Sequence, residues 1–245
     1  MVERQETAGS RSLDTYNQLR ELIVRGRLAP GGRLVETDVA ARLNVSRTPV
    51  RYAINRLRQE GFVLSLRGGK RSTTEVAPLT KEDGQELWYI TSRLEGLAGR
   101  WCGGLADEIR FKLARQLAAL NTLLAETARA DNIDRRRLFR LDDEFHETFV
   151  EAGAGPRLRR LHQSVKSQTE RYLRFYVGAL SHDITAGLSE HDAIIEAIDQ
   201  GDADRAERAV QNNWSSGADR LAIVIDLAGE LGNWGGLARQ VRKPE

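Results

Sequence analysis

Apolar residues recur at helical spacing along most of the 245-residue chain, and the breaks in that spacing mark out its elements. Leu13, Tyr16, Leu19, Leu22 and Ile23 share one face, and Gly26 follows where a helix stops. Ala29-Pro30-Gly31-Gly32 reads as a turn. Glu36-Thr37-Asp38 then offers capping groups and acidic character to a short helix holding Val39, Ala40 and Leu43. After a turn at Asn44-Val45, Ser46 is a natural N-cap for a third helix that runs to Glu60 and stops at Gly61; Pro49 is tolerated because a first helical turn needs no N–H donor there. Phe62 to Leu66 and Ser72 to Val76 form a β-hairpin around the glycine-rich basic tip Arg67-Gly68-Gly69-Lys70-Arg71.

Beyond Ala77-Pro78-Leu79 the pattern becomes wholly helical. Helices are predicted over 80 to 102, 106 to 128, 134 to 152, 156 to 177, 184 to 200 and 202 to 227, punctuated by Gly103-Gly104, Asp131-Asn132, Gly153 to Pro156, Gly178 and Gly201. Six amphipathic helices with short loops make an antiparallel bundle. The fold class is therefore mainly α: an N-terminal winged helix-turn-helix over 11–79 and an all-α bundle over 80–228. A flexible arm is expected at 1–10, and the tail at 229–245, with Trp234, is uninformative.

Charge separates the same two regions. Residues 1–79 carry 14 basic and 8 acidic side chains, and residues 80–245 carry 23 and 27. A basic first module beside a mildly acidic second one points to nucleic acid for the first and to a small ligand or partner for the second. The single cysteine, Cys102, rules out an internal disulfide framework. No apolar run reaches the roughly 20 residues of a membrane span, and the polar start lacks an apolar core, so no membrane association and a cytoplasmic location are expected.

On the third helix Val50, Ala53, Ile54 and Leu57 fall on one arc and Arg47, Arg51, Asn55 and Arg58 on a neighbouring one. The first arc packs. The second is either a solvated face or a reading edge, and the preceding turn, the following glycine and the basic hairpin tip favour reading. A helix-turn-helix sets the start of its second helix against base edges, where arginine grips guanine with two hydrogen bonds. The hairpin tip suits phosphate or minor-groove contact.

Gly26, Leu28, Pro30-Gly31, Leu34, Glu36, Val39-Ala40, Leu43, Val45 to Arg51, Ile54, Leu57, Gly61 and Val76-Ala77-Pro78 together resemble the winged helix of the GntR family of bacterial transcription regulators. The resemblance implies that Arg47 and Arg51 make the principal operator contacts, with Thr48 beside them and Lys70 or Arg71 at the wing. Thr37 stands where some members carry a DNA-contacting arginine, and the wing tip has a form of its own.

In the bundle, Asp142 and His146 are i and i+4 on one helix face. His191 and Asn213 flank Gly201 at similar height in a helical hairpin, about 15–18 Å from the turn at about 1.5 Å per residue. One acid and two histidines, with an asparagine opposite, suit a divalent metal with open positions. The same Asp–His spacing also fits a surface hydrogen bond or a satisfied core histidine. His162 and His182 have no partner at ligand spacing and read as structural or exposed.

Arg93-Leu94-Glu95, Asp142 to His146, and Glu190 to Ile198 followed by Gly201-Asp202 resemble the FCD domain, the ligand-binding domain of the FadR branch of that family. Many FCD domains hold a zinc-like ion with an Asp and three His. Asp142, His146 and His191 match, and Asn213 replaces the third His, an amide oxygen being a neutral and weaker ligand. Six helices resemble the VanR-like subgroup, whose effectors are often small organic or aromatic acids. An anionic effector wants positive charge, for which Arg93 is the preferred residue, its alternative role being a pair with Glu95 or another acid; Gln168 and Tyr172 are further positions.

The expectation is a homodimeric repressor that binds double-stranded operator DNA at an inverted repeat and releases it when a small carboxylate enters the bundle, with a zinc ion in the pocket. The alternative is a non-haem metal-dependent enzyme using Asp142, His146 and His191.

Overall fold

The computed structural model describes residues 2–68, 71–180 and 184–232, with side chains for 10–66, 73–175 and 186–232. The chain divides into two compact units. One holds the residues up to Thr80 together with those after Gly229, and the other is Lys81–Gly229.

The first unit is built from α1 (Val2–Val24), α2 (Glu36–Leu43), α3 (Arg47–Gln59), β1 (Val63–Gly68) and β2 (Arg71–Val76). Helix α1 starts at Val2, so residues 2–10 of the expected arm are helical: strong helix formers such as Glu3, Gln5, Glu6 and Ala8 outnumber the one breaker, Gly9. Asn44 takes a left-handed backbone (φ 52, ψ 46) and turns α2 into α3. Ser46 occupies the N-cap of α3 in extended conformation, and its side chain makes no capping hydrogen bond; Glu36, Thr37 and Asp38 lie inside α2, whose N-cap is Val35. The strands pair antiparallel from Val63↔Val76 to Gly68↔Arg71. Residues 31–34 add a short third edge through Gly31 N–H to the Val76 carbonyl (3.0 Å) and Leu34 N–H to the Thr74 carbonyl (2.7 Å).

Tyr16, Leu19, Ile23, Val50, Ala53, Leu57, Phe62 and Val76 fill the core of this unit. Leu13, expected on the packed face of α1, is 45% exposed, since the core ends one turn later at Tyr16. The Tyr16 hydroxyl donates to Glu60 at 2.6 Å and fastens α1 to the end of α3. The start of the tail returns to this unit, with Leu79 and Leu231 exchanging backbone hydrogen bonds (2.9 and 3.1 Å). Trp234 lies outside the described residues.

The second unit contains α4 (Lys81–Gly103), α5 (Asp107–Arg129), α6 (Arg135–Gly153), α7 (Pro156–Leu180), α8 (Ile184–Gln200) and α9 (Ala203–Ala228). Its core gathers Leu117, Phe145, Phe149, Ile194, Ile198 and Val210. Helix α4 lies antiparallel against α9 at very short range, because α4 offers glycine where α9 presses closest. A Cβ at Gly96 would meet Gln211 at 2.8 Å, at Gly99 Val210 at 2.9 Å, and at Gly103 the Ala203 backbone at 2.7 Å. Helices α8 and α9 turn at Gly201 (φ 73), after which the Asp202 carboxylate caps the Arg205 N–H at 2.9 Å. The buried Arg110 guanidinium donates to the Ile198 carbonyl (3.2 Å) and to that of Asp199, placing a cation at the carbonyl end of α8. Among the described residues no helix is long and apolar enough to cross a membrane.

Candidate functional site

Two sites emerge, one in each unit. In the first, α3 is divided lengthwise: Val50, Ala53, Ile54 and Leu57 are at most 3% exposed, while Arg47, Thr48, Arg51, Asn55 and Arg58 face solvent. Burial of the apolar arc fixes the rotation of the helix, and that rotation turns the arginines outward. Both arginines lean on one carboxylate. Glu36 accepts from Arg51 Nε at 3.2 Å and Nη2 at 3.1 Å, and lies 3.5 Å from Arg47 Nη2. The hydrogen bond from Arg51 holds the Glu36 carboxyl below the usual carboxylate range. Thr37 is exposed at the start of α2 with its hydroxyl 3.2 Å from Asp38 Oδ1. At the wing tip, Lys70 and the Arg71 side chain lie outside the described residues.

In the bundle, Asp142 and His146 on α6 and His191 on α8 offer ligand atoms that all lie within 4.8 Å of one another. The helical spacing brings the first two together, and the α5–α8 and α5–α6 packing brings the third. Both imidazoles are buried and each is held at Nδ1. His146 Nδ1 is 2.6 Å from Glu95 Oε2 on α4, and His191 Nδ1 is 3.2 Å from Asn121 Oδ1 on α5. Phe145 stacks on His191 with centroids 3.9 Å apart and an interplanar angle of 8°, fixing the ring plane. His191 Nε2 then stands 3.6 Å from Asp142 Oδ1. A ligating histidine whose other nitrogen is held by an acceptor is the arrangement found around bound metals.

The charges are tuned by their surroundings. Burial works against the Glu95 carboxylate, yet His146 and His162 outweigh it and hold Glu95 far below the usual range. Burial works against the His146 imidazolium too, and Glu95 reverses it, so that the His146 pKa is raised. His191 is pushed well below the ordinary imidazole value by burial and by His146, leaving it neutral as a ligand must be. Asp142 keeps 42% of its side chain accessible where it opens onto a cavity, while burial of its surroundings raises its carboxyl. Asn213 is buried, and its amide nitrogen donates to Glu190 at 2.9 Å.

A small cavity adjoins these residues, lined by Thr91 and Glu95 of α4, Asp142, Asp143 and His146 of α6, Lys166, Thr169, Glu170 and Leu173 of α7, and Trp214 of α9. None of Arg93, Gln168 and Tyr172 is among its lining. Thr91 and Glu95 share a face at i, i+4, and Arg93, midway, points to the opposite side, where it is exposed and donates to Gln211 at 2.7 Å. On α7 the lining positions follow i, i+3, i+4, i+7 from Lys166, and Gln168 and Tyr172 fall between them. Tyr172 is fully buried and donates to Asp83 at 2.6 Å; Gln168 accepts from Arg171 at 3.2 Å.

Sequence reasoning missed Lys166, the cation that lines this cavity; His162, read as structural or exposed, is buried with Nε2 2.8 Å from Glu95 Oε1. Lys166 had a signal in its shared face with Thr169. His162 had none, since its partner lies 67 residues away. His182 lies outside the described residues.

The family of bacterial regulatory proteins named gntR matches residues 11–70, and the FCD domain matches residues 86–215. The HTH-type transcriptional regulator YieP of Escherichia coli (strain K12) is 32% identical over 209 residues, 79% of this chain and 88% of its own. YdhC of Bacillus subtilis (strain 168), also an HTH-type regulator, is 28% identical over 87% of this chain and 92% of its own, and the repressor NanR of Klebsiella aerogenes is 26% identical over 81% and 80%. Two solved structures share the fold: McbR/YncC of E. coli, with a TM-score of 0.63 at 18% identity over 89% of this chain and 99% of its own, and a GntR regulator from Rhodococcus sp. RHA1, with 0.64 at 24% over 86% and 97%. These relatives are regulators of transcription, and the enzyme alternative finds no support among them. A winged DNA-reading unit, a helical unit with a ligand cavity, and these matches carry one conclusion: the chain belongs to the GntR family of bacterial transcriptional regulators and carries an FCD domain at its C-terminal side.

Proposed function

We propose that this regulator works in the cytoplasm as a homodimeric repressor, binding an inverted-repeat operator through two copies of α3 and releasing it when a small acid enters the bundle. The observation that carries the DNA half is the pair Arg47 and Arg51, exposed on one edge of α3 beside its buried arc. One short helix reads few base pairs, so a two-fold protein on a two-fold site supplies the rest of the specificity. Thr48 and Thr37 flank the arginines, and Lys70 and Arg71 serve the wing. Repression agrees with the relative NanR, a transcriptional repressor.

The bundle half rests on Asp142, His146 and His191. Two imidazoles and a carboxylate suit zinc, with the Asn213 oxygen as a weak fourth ligand in place of imidazole. Bound there, the ion would supply a positive centre to which a carboxylate effector adds. Organic or aromatic acids of the VanR-like type fit this scheme, with Lys166 and the hydroxyls of Thr91 and Thr169 as the effector's other contacts. Charge supports the order of events: Glu95, Asp142, Asp143 and Glu170 line the cavity together with Lys166, so an anion is welcome only once the ion has offset those carboxylates.

The test is Arg47→Ala and Arg51→Ala, each assayed by gel shift on a duplex selected by the wild-type protein from a random library. Loss of a bidentate base contact costs about 1–3 kcal/mol, roughly 5- to 150-fold in affinity. Wild-type affinity in both variants, with thermal stability unchanged, would remove α3 as the reading helix.

A further inference from the structure

Glu95 is 2% exposed and gathers donors from three other helices: His146 Nδ1 of α6 at 2.6 Å, His162 Nε2 of α7 at 2.8 Å and Trp214 Nε1 of α9 at 2.8 Å. A buried carboxylate is tolerated only when its oxygens are satisfied, and here Oε1 takes His162 while Oε2 takes His146 and Trp214. Packing alone asks for no charge at this position. The two α4 positions a turn on either side are Ser92 and Gly99, which are small and buried.

An imidazole that gives its Nδ1 proton to a carboxylate presents Nε2 with a free lone pair, and the carboxylate fixes the tautomer, aims the ring and raises its basicity. His146 is held in this way, and its remaining nitrogen is the one available to the cluster with Asp142 and His191. The same carboxylate ties the cluster to α4. Helix α4 starts at Lys81, immediately after the winged unit's Thr80, so a movement of Glu95 is a movement of the helix that continues the DNA-reading chain.

We propose that Glu95 is the positioning residue of the metal cluster and its mechanical link to α4: it orients His146 for the ion and passes occupancy of the cluster to the helix that leads to the winged unit. This rests on the metal reading given above. An ion held at His146 Nε2 would leave the Nδ1–H on Glu95 and pull on that bond, and α4 would follow because Glu95 is also anchored to His162 and Trp214. Two packed arrangements with different ion affinities are what coupling requires.

The experiment titrates the full-length protein with Co2+, following the d–d absorption of the ion and, in parallel, fluorescence anisotropy of the selected duplex, for wild type, Glu95→Gln and Glu95→Asp. In the expected result, wild type binds Co2+ and its duplex affinity shifts with occupancy. Glu95→Gln binds the ion about 10- to 100-fold more weakly, and even at saturating ion its duplex affinity stays at the ion-free value. Glu95→Asp keeps the charge but withdraws it by one methylene; it shows the same loss and carries the test if Glu95→Gln does not fold. A merely structural Glu95 would lower thermal stability in both variants while leaving the Co2+ spectrum, affinity and duplex response as in wild type, and that result overturns the proposal. Absence of Co2+ binding by wild type overturns the metal reading and this inference with it. Normal Co2+ binding with unchanged variants overturns the role of Glu95 alone.

Discussion

Glu36 sets how the two arginines of the proposed reading edge stand in the free protein. Its carboxylate holds Arg51 at two nitrogens and lies beside Arg47, all near the surface, so the cluster does little for stability and much for orientation. If they contact base edges as proposed, the arginines must exchange this acid for the bases, which returns the Glu36 charge to the interface. Glu36→Gln is therefore expected to leave the melting temperature close to wild type and to tighten binding to a random duplex several-fold. Discrimination between selected and random duplex narrows with it, because loose arginines serve phosphates as readily as guanines. Anisotropy titrations of both duplexes at one salt concentration measure this; equal random-duplex affinity in the two proteins would show that Glu36 restrains nothing. At this scale the sequence was informative wherever chemistry repeats along one helix. Asp142 with His146, and Arg47 with Arg51, are i, i+4 pairs, and such pairs are visible without a fold. Glu36, His162 and the role of Glu95 were not visible, since each depends on a partner brought from another helix.

At the scale of elements, hydrophobic period and glycine punctuation carried most of the bundle. The helix expected over 80 to 102 is α4, Lys81–Gly103; that expected over 184 to 200 is α8, Ile184–Gln200. Ends were legible because a break in the apolar spacing falls where a glycine or an N-cap acid stands, as at Gly201-Asp202. The facing of helices was less legible. Arg93 and Thr91 differ by two positions and by half the helix circumference, and which side looks inward is decided by packing against α9 and α7. The same packing explains the glycines of α4: Gly96, Gly99 and Gly103 are contact points for α9, and of these only Gly103 reads from the sequence as a break. Gly103→Ala is the sharpest probe, because its new methyl would stand 2.7 Å from the Ala203 backbone, which cannot rotate away. Overpacking of this kind costs about 1–3 kcal/mol, and urea unfolding should report it. An Ala variant as stable as wild type would mean that α4 and α9 part without cost.

For the whole molecule, the cavity's charge bears on the order in which the proposed ion, effector and operator would act. Four lining carboxylates, Glu95, Asp142, Asp143 and Glu170, surround one lysine, and Lys166 is itself 3.0 Å from Asp143 and bonded to Glu147. A small organic acid entering that cavity alone meets net negative charge. A divalent ion held by Asp142, His146 and His191 would offset two of those charges and supply a positive centre for the acid. Benzoate-like and short aliphatic carboxylates should therefore raise the melting temperature of the zinc-loaded protein and lower its operator affinity together, a ligand at about 100 times its Kd adding about 2.7 kcal/mol of stability. After treatment with a chelator both effects should vanish, and readdition of zinc should restore both. The two readouts must move as one, because an effector can shift the operator equilibrium only through the difference in its affinity for the two states. Stabilisation that survives the chelator would instead place the acid on Lys166, Thr91 and Thr169 alone, and would make Asn213 the mark of a cluster that no longer needs its ion.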